Sequence, residues 1–338
     1  MIPVAIATII SLTSPHEAAQ LERYEKSQVH MGTSFKIVFY ATSSTAANRA
    51  FVQAFKRIQQ LDQTLSNYKD DSELTRVCRQ AKTDKPIPVS KDFWRVLVAA
   101  EHWHKRTEGA FDMTIGPLTQ LWRRARRQKK LPPPDKLKSA KGNVGGRFVR
   151  LNRRGRTVQL LRPKMQLDPG GIAKGFATDE ALKVLAKLGI NRALVNGGGD
   201  ISIGDPPPKQ TGWLVVLKGL TPIGKASRPA IRLQRCGIAT SGDVFQSVTI
   251  GGKTYSHIVN PKTGLGLTNR IAVSVIAPDG MSADALASAI SVMGPKQGLR
   301  LATQLAGVEA LIVTMEGKRV RRIGTAGFRT KPVTRLED

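Results

Sequence analysis

The chain has little of what marks several large functional classes. It has only two cysteines, Cys78 and Cys236, far apart and outside any Cys-x-x-Cys spacing. Two thiols cannot build a zinc site by themselves, and spacing does not say whether they pair; ordinary thiols are the expectation. After position 20 there is no run of eighteen apolar residues, which argues against an internal membrane span. Acidic residues are scarce: 25 Asp plus Glu stand against 53 Lys plus Arg, a net charge of +28. Such a surplus suits nucleic acid, an anionic membrane or an acidic protein, or simply a solvated surface. No RNP-like aromatic pattern, zinc-finger spacing or helix-turn-helix signal accompanies it, so nucleic-acid binding is not expected.

What is present reads as one large globular domain of 338 residues with a leader. The apolar start, Ile2-Pro3-Val4-Ala5-Ile6-Ala7-Thr8-Ile9-Ile10, is like the core of a secretory signal or an anchor, although the usual basic start is missing and no lipid-attachment Cys follows. We take residues 1–20 as a signal or anchor segment and 28–330 as the folded domain. The charge is densest at Arg123-Arg124-Ala125-Arg126-Arg127-Gln128-Lys129-Lys130, running into three prolines. That stretch, 123–138, reads as a helix end and an excursion on the surface.

Periodicity places the elements. Residues 34–40 alternate as a strand, and 46–65 and 91–107 carry apolar residues at helical spacing. Short strands are expected at 148–151 and 158–161, then a helix over 171–188 closed by Gly189. Strands follow at 193–195, 201–203, 213–217 and 231–233, and Gly251-Gly252 sets a hairpin between 248–250 and 254–256. A strand at 271–276, helices at 283–293 and 297–305, and strands at 310–313 and 320–323 complete the pattern. Without a regular βαβ rhythm, the fold class is α+β, mixed sheets packed with helices.

Four segments could carry chemistry. Leu167-Asp168-Pro169-Gly170-Gly171-Ile172-Ala173-Lys174-Gly175 feeds a helix start, where small residues let a phosphate approach backbone N–H groups. Asp168 could hold a polar ligand edge and Lys174 a phosphate, although an ordinary capped helix start has the same composition. Asn196-Gly197-Gly198-Gly199-Asp200 is a tight turn or a close backbone approach to a ligand. Residues 239–243 and 255–264, the latter with His257, form a third region; a lone histidine is more often structural. In Ala283-Asp284-Ala285-Leu286-Ala287-Ser288 the acid and the hydroxyl lie one helical turn apart on one face. That pair suits a hard cation that also meets phosphate oxygens, or merely a first helical turn.

Taken in order, from Met31-Gly32-Thr33 to Met293-Gly294, these segments resemble the ApbE family, the FAD:protein FMN transferases. The resemblance implies an ApbE-like, T-fold-like α+β domain that uses Mg²⁺ and takes FAD as substrate. It implies transfer of FMN to a Thr hydroxyl of an acceptor flavoprotein subunit through a phosphoester bond, with release of AMP. By similarity, Asp284 and Ser288 hold the metal with backbone oxygens such as those of Gly171 and Ala287. Met31, Tyr68, Ala110, Phe111, Asp112, Asp168, Lys174 and Ile258 line the flavin nucleotide. His257 and Asp284 are the catalytic candidates, His257 for proton transfer or positioning. Ser288 stands where the family commonly has Thr, and Asn260 and Lys262 replace its commoner Asp and Arg. The alternatives are a Mg²⁺-dependent FAD pyrophosphatase, with water as nucleophile, and a flavin-binding protein without catalysis. The leader implies the periplasm or the outer face of the inner membrane with peripheral membrane association, or the cytoplasm if it is no signal.

Overall fold

The computed structural model describes residues 20–81, 85–217, 228–242, 247–316 and 319–336. The leader, apart from Gln20, lies outside the described residues, as does Asp243. The described chain opens with β1 (Glu22–His30), which pairs in antiparallel register with β2 (Thr33–Ala41) through a tight turn at Met31 and Gly32. Alternation had marked β2 but not β1, because β1 is an edge strand with almost every side chain in solvent. The helices α1 (Ser44–Leu65), α2 (Glu73–Arg79) and α3 (Lys91–Arg106) follow, with the two-residue strand β3 (Ile87–Pro88) before α3. Serine N-caps start all three: the hydroxyls of Ser43, Ser72 and Ser90 accept from Ala46, Thr75 and Phe93 backbone N–H groups.

The basic stretch is not a free excursion. It forms α4 (Gly116–Gln128), with Pro117 in its first turn, and α5 (Pro134–Lys141). The buried stripe Leu118, Trp122 and Ala125 on α4 packs against Tyr255 and Val259, so one face of the helix is core despite its charge. Next come β4 (Val149–Asn152), β5 (Thr157–Leu160), α6 (Ala173–Lys187), β6 (Ala193–Gly197) and β7 (Asp200–Ile203). Gly189, at φ 78°, ends α6 as expected. Then β8 (Trp213–Val216), β9 (Arg228–Leu233), β10 (Cys236–Gly242) and the hairpin β11 (Ser247–Ile250) and β12 (Lys253–Ser256) follow. The last elements are β13 (Ile271–Ala277), α7 (Gly280–Gln304), β14 (Glu309–Glu316), β15 (Arg319–Gly324), α8 (Ala326–Arg329) and β16 (Val333–Leu336). The two helices expected at 283–293 and 297–305 are the halves of α7, separated by Gly294, which leaves helical geometry ahead of Pro295.

One eight-stranded antiparallel sheet, in the order β1-β2-β6-β7-β10-β13-β14-β15, organises the fold. Side-chain alternation sends the two faces of β2 into different cores. Phe35, Ile37 and Phe39 pack under α1, α6 and α7, whereas Val38 joins a second cluster with Ile231, Trp213 and Phe328 beneath the small sheet β16-β9-β8. The result is α+β, as expected. Glu180 on α6 ties the helical layer together: its carboxylate accepts from Arg57 of α1 at 2.6 Å, Arg95 of α3 at 2.8 Å and Lys183 at 2.9 Å. The two cysteines are free, each with its thiol pushed up to about 11 by burial.

Candidate active site

At one edge of the helical layer a cavity of about 640 Å³ opens between α4, the start of α6, the middle of α7 and the segment after β12. Met31, Tyr68, Ala110, Phe111, Asp112, Asp168, Gly171, Lys174, His257, Ile258, Asp284 and Ser288 all line it. Of the metal, flavin and catalytic residues that the resemblance implies, Ala287 alone does not; it is buried one position before Ser288.

The loop from Asp168 to Gly171 is fixed before it meets any ligand. Asp168 N–H donates to the Met113 carbonyl at 2.7 Å. Its carboxylate accepts from Thr119 at 2.6 Å and Arg123 at 3.0 Å on one oxygen and from Gly170 N–H at 3.0 Å on the other. Asp168 therefore uses its oxygens to anchor α4 to the loop, and Arg123, so held, lies over the ring of the exposed Tyr68 at 4.7 Å. Asp112 is likewise committed, accepting from the Thr114 backbone N–H at 2.8 Å and hydroxyl at 2.6 Å.

Lys174, in the first turn of α6, does not project into empty space for a phosphate. Its Nζ donates to the Gly170 carbonyl at 3.0 Å and to Asp200 at 2.8 Å, and lies 3.6 Å from Asp284. Asp284 also accepts from Gly175 N–H at 3.2 Å through the same Oδ2. Burial, and then the charge of Asp200, push the Asp284 carboxyl well above the usual range, against the pull of Lys174. Burial works against the Lys174 ammonium, but the two carboxylates overcome it and hold it above its ordinary value. This is a carboxylate environment short of positive charge.

The donor set beside it fits a hard cation. Among the described residues neither Asp284 Oδ1 nor the Ser288 hydroxyl makes a hydrogen bond. Gly171 faces them so closely that a Cβ there would come within 2.8 Å of Ser288 Oγ. One carboxylate, one hydroxyl and nearby backbone carbonyls are oxygen ligands of the kind Mg²⁺ takes, with the remaining positions left to water or phosphate. The described residues hold no cluster of three or more His, Cys, Asp or Glu for a softer metal.

His257 is set by its surroundings. The preceding Ser256 carbonyl accepts from the Trp122 indole N–H at 3.0 Å, so α4 and the histidine segment are locked together. The Ser256 hydroxyl in turn accepts from Ile258 N–H at 3.1 Å.

The model of the ApbE family matches residues 31–312, from the β1–β2 turn through β14. The chain belongs to the ApbE family. An FAD:protein FMN transferase of Haemophilus influenzae is 30% identical over 307 residues, covering 88% of each chain. One of Treponema pallidum is 30% identical over 338 residues, covering 95% of this chain and 92% of its own. The solved flavin transferase ApbE from Vibrio cholerae superposes with a TM-score of 0.82 at 26% identity, covering 93% of this chain and all of that one. ApbE membership thus agrees with the order of motifs in the sequence.

Several lining residues of this ApbE chain escaped the sequence reading as site residues. Asp200 was noted only as the end of a glycine turn, yet it is the closest carboxylate to Lys174. Arg123 and Arg126 were read as surface, and both line the cavity. Their signal was present: Thr119, Arg123 and Arg126 are spaced i, i+4, i+7, a single helical face offset from the apolar one.

Proposed function

We propose that the protein is a Mg²⁺-dependent FAD:protein FMN transferase. It moves the FMN half of FAD onto a Thr hydroxyl of an acceptor flavoprotein subunit. The observation that carries the reading is the meeting of Asp284, Ser288 and Gly171 at one cavity with Tyr68, Phe111 and His257. A place for phosphates and a hard cation thereby adjoins aromatic surface for a flavin. Family membership and the names of the relatives support the same activity.

Asp284 and Ser288, with the carbonyls of Gly171 and Ala287, would hold Mg²⁺, which supplies charge neutralisation for phosphoryl transfer. The chain's own residues do the rest. Tyr68, steadied by Arg123, and Phe111 bind the flavin; Lys174 sets the spacing of Asp200 and Asp284 through its two contacts. His257 receives the proton of the attacking Thr hydroxyl. The bond formed is Thr Oγ to the FMN phosphorus. The bond broken is from that phosphorus to the bridging oxygen, and its electron pair leaves with AMP. The leader further supports a place in the periplasm or on the outer face of the inner membrane, which cell fractionation tests.

The deciding experiment incubates the protein with FAD, Mg²⁺ and an acceptor carrying a Thr flavinylation site, beside the Thr→Ala acceptor. Covalent fluorescent flavin on the first alone, with one AMP per flavin, is the expected result. FMN and AMP free in solution, with no labelled acceptor, would mean that water is the nucleophile. Turnover unchanged by EDTA would remove the metal from the scheme.

A further inference from the structure

The cavity holds five carboxylates and three permanent cations among its described lining residues, and all but one of the cations have a carboxylate partner. Arg123 pairs with Asp168 at 3.0 Å, and Lys174 with Asp200 at 2.8 Å. Arg126 has no carboxylate partner among the described residues, and its Nε is buried without a hydrogen-bond acceptor. Thr119, Arg123 and Arg126 form the cavity-facing stripe of α4. The first two close on Asp168, and the third reaches the cavity one turn further along without a hydrogen-bond or ion-pair partner among the described residues. Burial, then the charge of Arg123, hold the Arg126 guanidinium below its ordinary value, so it gains from any anion placed against it. Its neighbours Arg124 and Arg127 are exposed; Arg126 is the one turned inward.

We propose that Arg126 is an anion-binding residue for the dinucleotide substrate, its guanidinium donating to a phosphate oxygen of FAD. The inference rests on the functional reading above. A half-buried guanidinium whose Nε is shut from water without an acceptor costs stability unless a partner arrives, and a planar fork of donors matches phosphate geometry. A pyrophosphate entering a cavity lined by five carboxylates needs positive charge, and Arg126 is the lining cation whose charge no carboxylate of the described residues already takes up. The flavin and adenine rings do not need this residue, so it distinguishes phosphorylated ligands from riboflavin.

The test compares binding of FAD, FMN, ADP and riboflavin, with Mg²⁺ present, to the wild type, Arg126→Gln, Arg126→Lys and Arg124→Gln. Flavin binding is read by fluorescence, and ADP by competition. Arg126→Gln should weaken FAD, and FMN or ADP according to which phosphate is held, by about ten- to a hundredfold, the usual loss for one charge-assisted hydrogen bond. Riboflavin should bind as before, Arg126→Lys should fall between, and Arg124→Gln, with the same change in net charge, should match the wild type. Equal weakening of riboflavin would show that Arg126 shapes the cavity, and overturn the proposal. So would unchanged FAD binding with a raised KM for the acceptor, which would assign Arg126 to an acidic group of the acceptor. If Arg126→Gln does not fold, Arg126→Lys alone decides: it must weaken FAD more than riboflavin. Failure of the wild type to bind FAD at all would instead sink the transferase reading, and this inference with it.

Discussion

Gly171→Ala isolates the cation site with the smallest change available. The backbone of Gly171 is not left-handed, so alanine is conformationally acceptable there. Its Cβ, however, would lie 2.8 Å from Ser288 Oγ and 3.2 Å from Ser288 Cβ, while the third neighbour, Phe111 Cε2 at 3.6 Å, is in ordinary contact. Ser288 must either rotate its hydroxyl away or retreat by about 0.5 Å, the shortfall from an ordinary carbon–oxygen contact. Mg²⁺ bonds oxygen at about 2.0–2.1 Å and tolerates about 0.2 Å, so either movement takes the hydroxyl out of the coordination shell. The half-saturating Mg²⁺ concentration for FMN transfer should therefore rise by about ten- to a hundredfold, the scale seen when a metal site's support is lost. Stability should change little, because the displaced atom is a hydroxyl at a cavity wall. The assay is a Mg²⁺ titration of labelling rate, paired with thermal unfolding. A folded Gly171→Ala protein with the wild-type Mg²⁺ dependence would refute the cradle.

Three further expectations follow from the same geometry. Asp284→Ala should keep its circular dichroism and lose about a hundredfold or more in transfer rate, with excess Mg²⁺ failing to rescue it. Glu180→Gln should destabilise the fold by about 3 kcal/mol at pH 7, since burial is outweighed by Arg57, Lys183 and Arg95 and the carboxyl is held down to about 2. Because the folded-state value is depressed, that stability is present above pH 4.5 and lost as pH falls toward 2. Urea unfolding should accordingly show the gap between the two proteins narrowing in acid, and a pH-independent gap would disprove the assignment. Gly175→Ala would place a Cβ 2.1 Å from the backbone oxygen of Gly280, where α6 crosses the start of α7. It should cost about 3 kcal/mol or more, read as lost soluble yield or a lowered Tm, and an unchanged Tm would show that the crossing is not tight.

Much of the scaffold was legible because its elements are amphipathic. Phe51, Phe55 and Ile58 announced α1, and the Gly251–Gly252 turn announced the β11–β12 hairpin. The edge strand β1 was silent, since its residues face water and only pairing with β2 orders them. The segment 239–242 shows as a candidate site segment but not as a strand; it is both, since Thr240, Ser241 and Gly242 line the cavity from β10 while the Thr240 hydroxyl meets Ser274 across the sheet at 2.9 Å. Nor did α8 and β16 have a local signal; β16 exists by pairing with β9, a contact made across most of the last hundred residues. In the site, Asp284 and Ser288 were visible from spacing within one helix. Asp200 was not, since its role depends on Lys174 from another element, a meeting that only tertiary packing creates. Arg126 was masked by company: the five other cations between Arg123 and Lys130 made a cavity residue look like surface.

The Trp122 indole, buried and bonded to the Ser256 carbonyl, also lines the cavity, as Arg126 and His257 do. It joins the two walls mechanically, and it also makes the cavity spectroscopically self-reporting. Indole emission overlaps flavin absorption, so a flavin entering here will quench this tryptophan by energy transfer, without any label. Trp94, Trp103 and Trp213 lie outside the lining and provide the background. Arrival and departure of the dinucleotide, and the moment its flavin half leaves on another protein, can thus be followed in real time from the protein's own light.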